Sequence, residues 1–259
     1  MLDTKEKMCK LFFHSAEKMP EIQNESARIA IASPPFTDRV GGKILDKKEY
    51  LTFLYRVFSE IFRTLTPGGI LATINTDLRD HARYNDGDSQ FDGLIWQKHC
   101  AIRKEAERIG FQCFDTKIWA KTLNRNVYRY TFSYIQFFHK QGAKILLPLY
   151  PRTAEGFGPD VWLLQKGTHR RDSQGHVFRD AIHPVIAERC INQFTLPGDL
   201  AISPFTGSGT ILSVANITGR RCVGYEIDRS LEPMIRESID NPERLPAYRE
   251  LLKRLSRCA

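Results

Sequence analysis

The chain has no long hydrophobic run. No apolar stretch approaches the roughly 20 residues of a membrane span, and the first residues carry no secretory-leader core, so the expected setting is cytoplasmic with no membrane partner. Paired cysteines are also missing. Cys9, Cys100, Cys113, Cys190, Cys222 and Cys258 are scattered with no Cys-x-x-Cys spacing. That argues against a zinc site and against a disulfide framework. The expectation is reduced thiols, mostly core filling, and no metal. There is no internal repeat and no low-complexity tract.

The 259 residues, 42% of them hydrophobic, suffice for one α/β domain spanning 1–259. A formal net charge of +8 favours a polyanionic partner. Lys117, Lys121, Asn124, Arg125, Asn126, Tyr128, Arg129 and Tyr130 mix cations, amides and aromatics in one stretch, and Lys166, His169, Arg170 and Arg171 form a second basic cluster. Cations hold phosphates, and Asn and Arg can also read base edges. About half of such side chains are ordinarily plain solvated surface. The nucleic-acid-binding candidates are Lys121, Asn124, Arg125, Arg129, Arg170 and Arg171.

The apolar pattern alternates between strand and helix periods. Strands are expected at 28–32, 69–75, 112–120, 131–139, 199–202 and 221–227, and helices at about 47–65, 93–109, 183–194 and 209–218. Segment 77–92 is polar. Segment 140–180 contains Pro148, Pro151, Gly156, Gly158, Pro159, Gly167 and Gly175 and reads as mostly loop. The charged tail reads as surface helix.

Two strand exits carry chemistry. The first, behind Arg28–Ala32, is Ser33-Pro34-Pro35-Phe36. The prolines fix φ and leave the carbonyls of Ser33 and Pro34 without a following N–H. The loop thus offers a hydroxyl, an uncovered carbonyl and a flat ring to a small planar group such as an aromatic amine. A Pro-Pro pair alone is more often loop punctuation. The second exit, behind Asp199–Ile202, is Ser203-Pro204-Phe205-Thr206-Gly207-Ser208-Gly209-Thr210, followed by a helical pattern and a strand leading to Glu226 and Asp228. A glycine loop between strand and helix lets a ligand approach the backbone, and an acid after the next strand suits a ribose diol. No Lys follows Gly209, which argues against a phosphate loop, and the spacing is not Gly-x-Gly-x-x-Gly. An adenosine-bearing cofactor without pyrophosphate fits best. Glu226 is the preferred ribose acceptor, while Asp228 can equally cap the next helix. Asp77 either approaches the substrate or caps a turn.

Together these motifs resemble those of the amino-methylating DNA methyltransferases of the β arrangement, in which the catalytic loop precedes the S-adenosyl-L-methionine loop. Ser33–Phe36 resembles the catalytic (S/T/D)PP(Y/F) motif, and Ser203–Thr210 the cofactor motif DPFxGSGT. Phe12–Met19 resembles the family's opening segment, Leu65–Leu71 its LxPGGxL, Lys117–Lys121 its IIWxK, and Leu196–Asp199 its PGD. The likeness spans about residues 12–240, and these motifs in family order make it specific. Two departures stand out. Ser203 occupies a position that is usually Asp, and the usual His-led, proline-rich motif is matched in part by both His176-Val177-Phe178 and His183-Pro184.

The resemblance implies a Rossmann-like, mostly parallel seven-stranded sheet in circularly permuted motif order, S-adenosyl-L-methionine as cofactor and double-stranded DNA as partner. It places target recognition in 140–180, which is short enough to suggest a minimal reader or one helped by a restriction or recognition partner. It assigns catalysis to Ser33, Pro34, Pro35 and Phe36, and cofactor binding to Phe205, Thr206, Gly207, Ser208, Gly209, Thr210 and Glu226. The implied reaction is methyl transfer to the exocyclic amine of a flipped base, with Ser33 and the Pro34 carbonyl holding the amine hydrogens and Phe36 stacking on the base. Ser at the first catalytic position favours cytosine N4. Adenine N6 is the alternative, and an inactive nucleic-acid-binding protein of the same fold is the competing class.

Overall fold

Ala27–Ala32 is apolar on both faces. Ile29 and Ile31 enter one buried cluster and Ala30 and Ala32 the other, the pattern of a strand covered on both sides. It belongs to a sheet of eight strands: β1 (Cys9–Phe12), β2 (Ala27–Ala32), β3 (Leu65–Asn75), β4 (Phe111–Ala120), β5 (Phe132–Lys140), β6 (Val161–Leu163), β7 (Leu200–Ser203) and β8 (Arg221–Tyr225). This computed structural model describes residues 8–35, 39–40, 43–79, 95–121, 131–145, 158–164, 170–171, 177–178 and 181–258. The strand order is β1-β8-β7-β2-β3-β5-β4-β6. Only β5 runs against its neighbours, β3 and β4; the other pairings are parallel.

Among the described residues the sheet holds eight strands, one more than the seven that the resemblance implied. β6 lies inside the segment read as loop, where three residues are too few to show a period. Its Trp162 is buried, and the Trp119 indole N–H donates to the Leu164 carbonyl at 2.8 Å, stitching this edge to β4.

Among the described residues, α1 (Lys47–Thr64), α2 (Lys98–Ile109), α3 (Pro184–Phe194), α4 (Thr210–Ile217), α5 (Glu232–Asp240) and α6 (Arg249–Cys258) cover the faces. Tyr50, Leu54, Val57, Phe58 and Ile61 give α1 a helical stripe that packs with Ala30 and Leu71. Val185, Leu212, Ile235 and Leu251 of the later helices pack on the opposite face with Ile29 and Ile31. A reciprocal cap between Asp46 and Glu49 starts α1. α2 begins later than its apolar period implies, because Ile95–Trp96 pairs with Leu78–Arg79 as a short antiparallel ladder.

The connections decide where a ligand can sit. β2 leads to α1 on one face and β7 to α4 on the other, yet β2 and β7 are neighbours, with Ala201 opposite Ile29. Adjacent strands whose helices leave to opposite faces open a crevice at their carboxyl ends.

One expectation from the cysteines is overturned. Cys9 and Cys222 form a disulfide, with Cα atoms 4.6 Å apart. The parallel register of β1 and β8 sets them directly opposite, a proximity that a separation of 213 residues hides in the sequence. Cys100, Cys113 and Cys190 remain thiols. Among the described residues, no helix is long and apolar enough to cross a membrane.

Candidate active site

The loops beyond β1, β2, β7 and β8 enclose a cavity of about 540 Å³, within the range of small-molecule sites. Ser33, Pro34 and Pro35 form one wall. Pro204, Phe205, Thr206, Gly207, Ser208 and Thr210 form another, and Tyr225, Glu226 and Asp228 a third. His14, Ser15 and Ala16, with Phe53, Phe178 and Ile182, close the remainder. The two loops singled out in the sequence thus border a single space. Phe36 lies outside the described residues.

The glycine loop is shaped by backbone that side chains disfavour. Gly207 has φ +53° and Gly209, which caps α4, has φ +81°, a region where a Cβ is strained. A Cβ on Gly207 would also stand 2.9 Å from the Phe178 ring. Three bonds hold the loop down: Thr206 N–H to the Tyr225 carbonyl at 3.0 Å, Thr206 Oγ1 to the Ser203 carbonyl at 3.3 Å, and Gly207 N–H to Glu226 Oε2 at 2.7 Å. Glu226 Oε1 accepts the N–H groups of Ile227 and Asp228 at 2.9 and 3.0 Å. A carboxylate has about four lone-pair positions, so this braced group keeps acceptor capacity.

Other candidates resolve as follows. Phe205 is half-buried and its ring lies 5.9 Å from that of Phe53. The Ser208 and Thr210 hydroxyls are paired at 3.1 Å. Asp228 caps the turn Arg229–Leu231, accepting from Ser230 N–H at 2.9 Å, while also bordering the cavity. Ser203 is fully buried, is not part of the cavity wall, and its Oγ meets no hydrogen-bond partner among the described residues. His183 caps α3 through its own Nδ1, whereas Phe178 reaches the cavity. His176 lies outside the described residues.

The structure adds contacts that the sequence did not show. The Pro35 carbonyl accepts from the Tyr50 hydroxyl at 3.2 Å and from the Lys98 ammonium. Among the described residues, Asp77 neither caps its own turn nor borders the cavity. Its Oδ1 accepts the His99 backbone N–H at 3.1 Å and sits 2.6 Å from His99 Nδ1, capping α2 from a distance. The His99 ring stacks on Tyr134 at 3.9 Å. Glu21 gathers His14 Nε2 and the Tyr225 hydroxyl, each at 2.9 Å. Burial pulls the His14 pKa down, but Glu21 and the Ser15 carbonyl outweigh it and hold it above 6.5. Burial and the Glu21 bond push the Tyr225 phenol up.

The basic candidates divide. Lys121 directly follows β4, with its ammonium 4.9 Å from the Trp119 ring centre. Lys117 is instead buried, with Nζ 3.1 Å from Asp115 and 2.8 Å from Asp160, so it is a structural ion pair and not a phosphate ligand. Burial lowers its pKa, and the two carboxylates more than reverse this. Arg170–Arg171 pairs antiparallel with Val177–Phe178, setting Arg170 opposite the cavity residue Phe178. Asn124, Arg125 and Arg129 lie outside the described residues.

A profile of the N6/N4 methyltransferases, described as DNA methylase, matches residues 27–237. The chain belongs to this DNA methylase family. Among relatives, the type II methyltransferase M.MjaI of Methanocaldococcus jannaschii is 29% identical, the match covering 89% of this chain and 90% of the relative. M.MthZI of Methanothermobacter thermautotrophicus is 23% identical over 91% of this chain and 78% of its own. The fold matches TTHA0409 of Thermus thermophilus, solved with S-adenosyl-L-methionine, at a TM-score of 0.69, 23% identity and coverage of 92% and 94%. It also matches the PvuII cytosine-N4-specific DNA methyltransferase at 0.62, 14% identity and coverage of 90% and 93%. As a DNA methylase of this family the protein uses S-adenosyl-L-methionine. The cavity suits that molecule: a glycine loop with no room for a Cβ, a braced carboxylate, and the apolar rings of Phe178 and Phe205.

Proposed function

We propose that this DNA methylase transfers a methyl group to the N4 amine of cytosine in double-stranded DNA, with adenine N6 as the second reading. The observation that carries the proposal is the single cavity bordered by both Ser33–Pro35 and the glycine loop with Glu226. Ser33 in place of an acidic residue is the feature that favours cytosine over adenine.

When bound, the cofactor supplies a methyl group on an electron-poor sulfur. The chain's own residues provide the rest. Glu226 accepts a ribose hydroxyl at its remaining lone pair, the glycine loop lets the cofactor approach the backbone, and Phe205 packs beside it. An exocyclic amine is a poor nucleophile because its lone pair is delocalised into the ring. The Ser33 hydroxyl oxygen and the Pro34 carbonyl each accept one amine hydrogen, which localises the lone pair and aims it from about 3–3.5 Å. Phe36, the next residue along the chain from this loop, stacks on the extruded base. The nitrogen gains a methyl and releases one proton, which water can take, so no strong base is required. Lys121, Asn124, Arg125, Arg129, Arg170 and Arg171 hold the DNA. The short 140–180 segment reads the target with little material. Several relatives are named type II methyltransferases, which supports a paired restriction enzyme.

The test is nucleoside mass spectrometry of DNA incubated with the protein and S-adenosyl-L-methionine. N4-methylcytosine is the expected product. N6-methyladenine alone would establish the second reading.

A further inference from the structure

We propose that Lys98 is a positioning residue for methyl transfer, acting through the Pro35 carbonyl; this rests on the reading of Ser33–Pro35 as the acceptor loop. Lys98 is the first residue of α2 and its side chain is completely buried. Its ammonium donates to the Pro35 carbonyl and lies 4.8 Å from the centre of the Tyr50 ring. The Tyr50 hydroxyl donates to that same carbonyl at 3.2 Å. Two helices therefore converge on one backbone oxygen of the loop.

The consequence follows from backbone geometry. The Pro35 ring fixes φ, so holding its carbonyl direction also constrains the preceding peptide plane, which carries the Pro34 carbonyl. At the other end, Ala32 is held in the sheet opposite Thr73. Residues 33–35 thus form a short bridge clamped by the sheet at one end and by α1 and α2 at the other. Asp77 secures the second clamp, because its bonds to the His99 N–H and ring fix the start of α2 against the end of β3.

A buried ammonium is costly to desolvate, and an apolar side chain would fill the same space without that cost. A charged donor here supplies direction, which an apolar group does not. Its charge has no favourable part in a reaction that places positive charge on the amine nitrogen. The role is geometric.

Lys98→Met, Tyr50→Phe, the double variant and Ser33→Ala would be compared by single-turnover methylation, cofactor and DNA affinity, and thermal unfolding. The proposal expects Lys98→Met to slow methylation by about ten- to a hundredfold, the scale of a slightly misplaced reacting group, with both affinities retained. It also expects the double variant to lose more than the product of the single losses, because the donor left in each single variant still holds the carbonyl in part. A folded Lys98→Met protein at the wild-type rate overturns the proposal, as does a rate loss matched by equal losses of affinity. Should Lys98→Met fail to fold, Lys98→Gln with Tyr50→Phe provides the same cycle, and simple additivity there overturns it. Slow Ser33→Ala beside fast Lys98→Met rejects Lys98 alone, whereas wild-type rates in both reject the loop reading itself.

Discussion

Glu226 accepts the backbone N–H of Gly207 at 2.7 Å, closing the glycine loop onto the end of β8. One carboxylate therefore shapes the loop and still offers an acceptor to the cavity. Glu226→Ala should weaken S-adenosyl-L-methionine binding by about 1.5–3 kcal/mol, the worth of charge-assisted hydrogen bonds. Titration calorimetry on both proteins checks it, and equal affinities would remove Glu226 from ribose binding.

Gly207→Ala should cost affinity twice over. The residue has positive φ, a strain of about 1–2 kcal/mol for a side chain, and the new methyl would press on the Phe178 ring at 2.9 Å. Adding Phe178→Ala should relieve the steric part and leave the backbone part. Calorimetry of the single and double variants separates them; no recovery would mean that the ring is not the obstacle.

What was legible in the sequence was what is contiguous in the chain. Ser33–Pro35 and the glycine loop could be read because each is a short motif at the exit of an expected strand; that the two strands are neighbours came from the fold. Pairings made by register or packing could not be read. Lys98 and Pro35 are 63 residues apart, Asp77 and His99 are 22 apart, and Cys9 and Cys222 are 213 apart. The ion pair of Lys117 with Asp160, 43 residues further on, was hidden for the same reason. β6 was hidden by its shortness amid glycines and prolines.

DNA binding should separate the two kinds of cation. Arg170→Ala with Arg171→Ala should lower affinity and flatten its salt dependence, by about 0.9 in slope for each phosphate that is no longer neutralised. Lys117→Met should leave that slope alone and instead lower the melting temperature, since it strips the partner from Asp115 and Asp160. Fluorescence anisotropy across a salt series measures the slopes. The reverse pattern would misplace the DNA face.

The His14–Glu21 pair should make stability pH-dependent. The folded pKa of His14 is raised, so its contribution is fully present below the unfolded value of about 6.5 and is lost as pH rises through the folded value. The melting-temperature gap between wild type and His14→Asn should therefore be wider near pH 5.5 than near pH 8.5. A gap that is constant with pH would show that the pair carries no charge effect.

Ser33 bears most directly on the chemistry. Single-turnover methylation by Ser33→Ala, measured beside cofactor and DNA binding curves, removes one acceptor and leaves both prolines in place. The expected result is a rate reduced by about a hundredfold or more, as for loss of one hydrogen bond worth about 2.7–4 kcal/mol in the transition state, with both affinities close to wild type. A Ser33→Ala protein that methylates DNA at the wild-type rate would contradict the assignment of the amine to this loop.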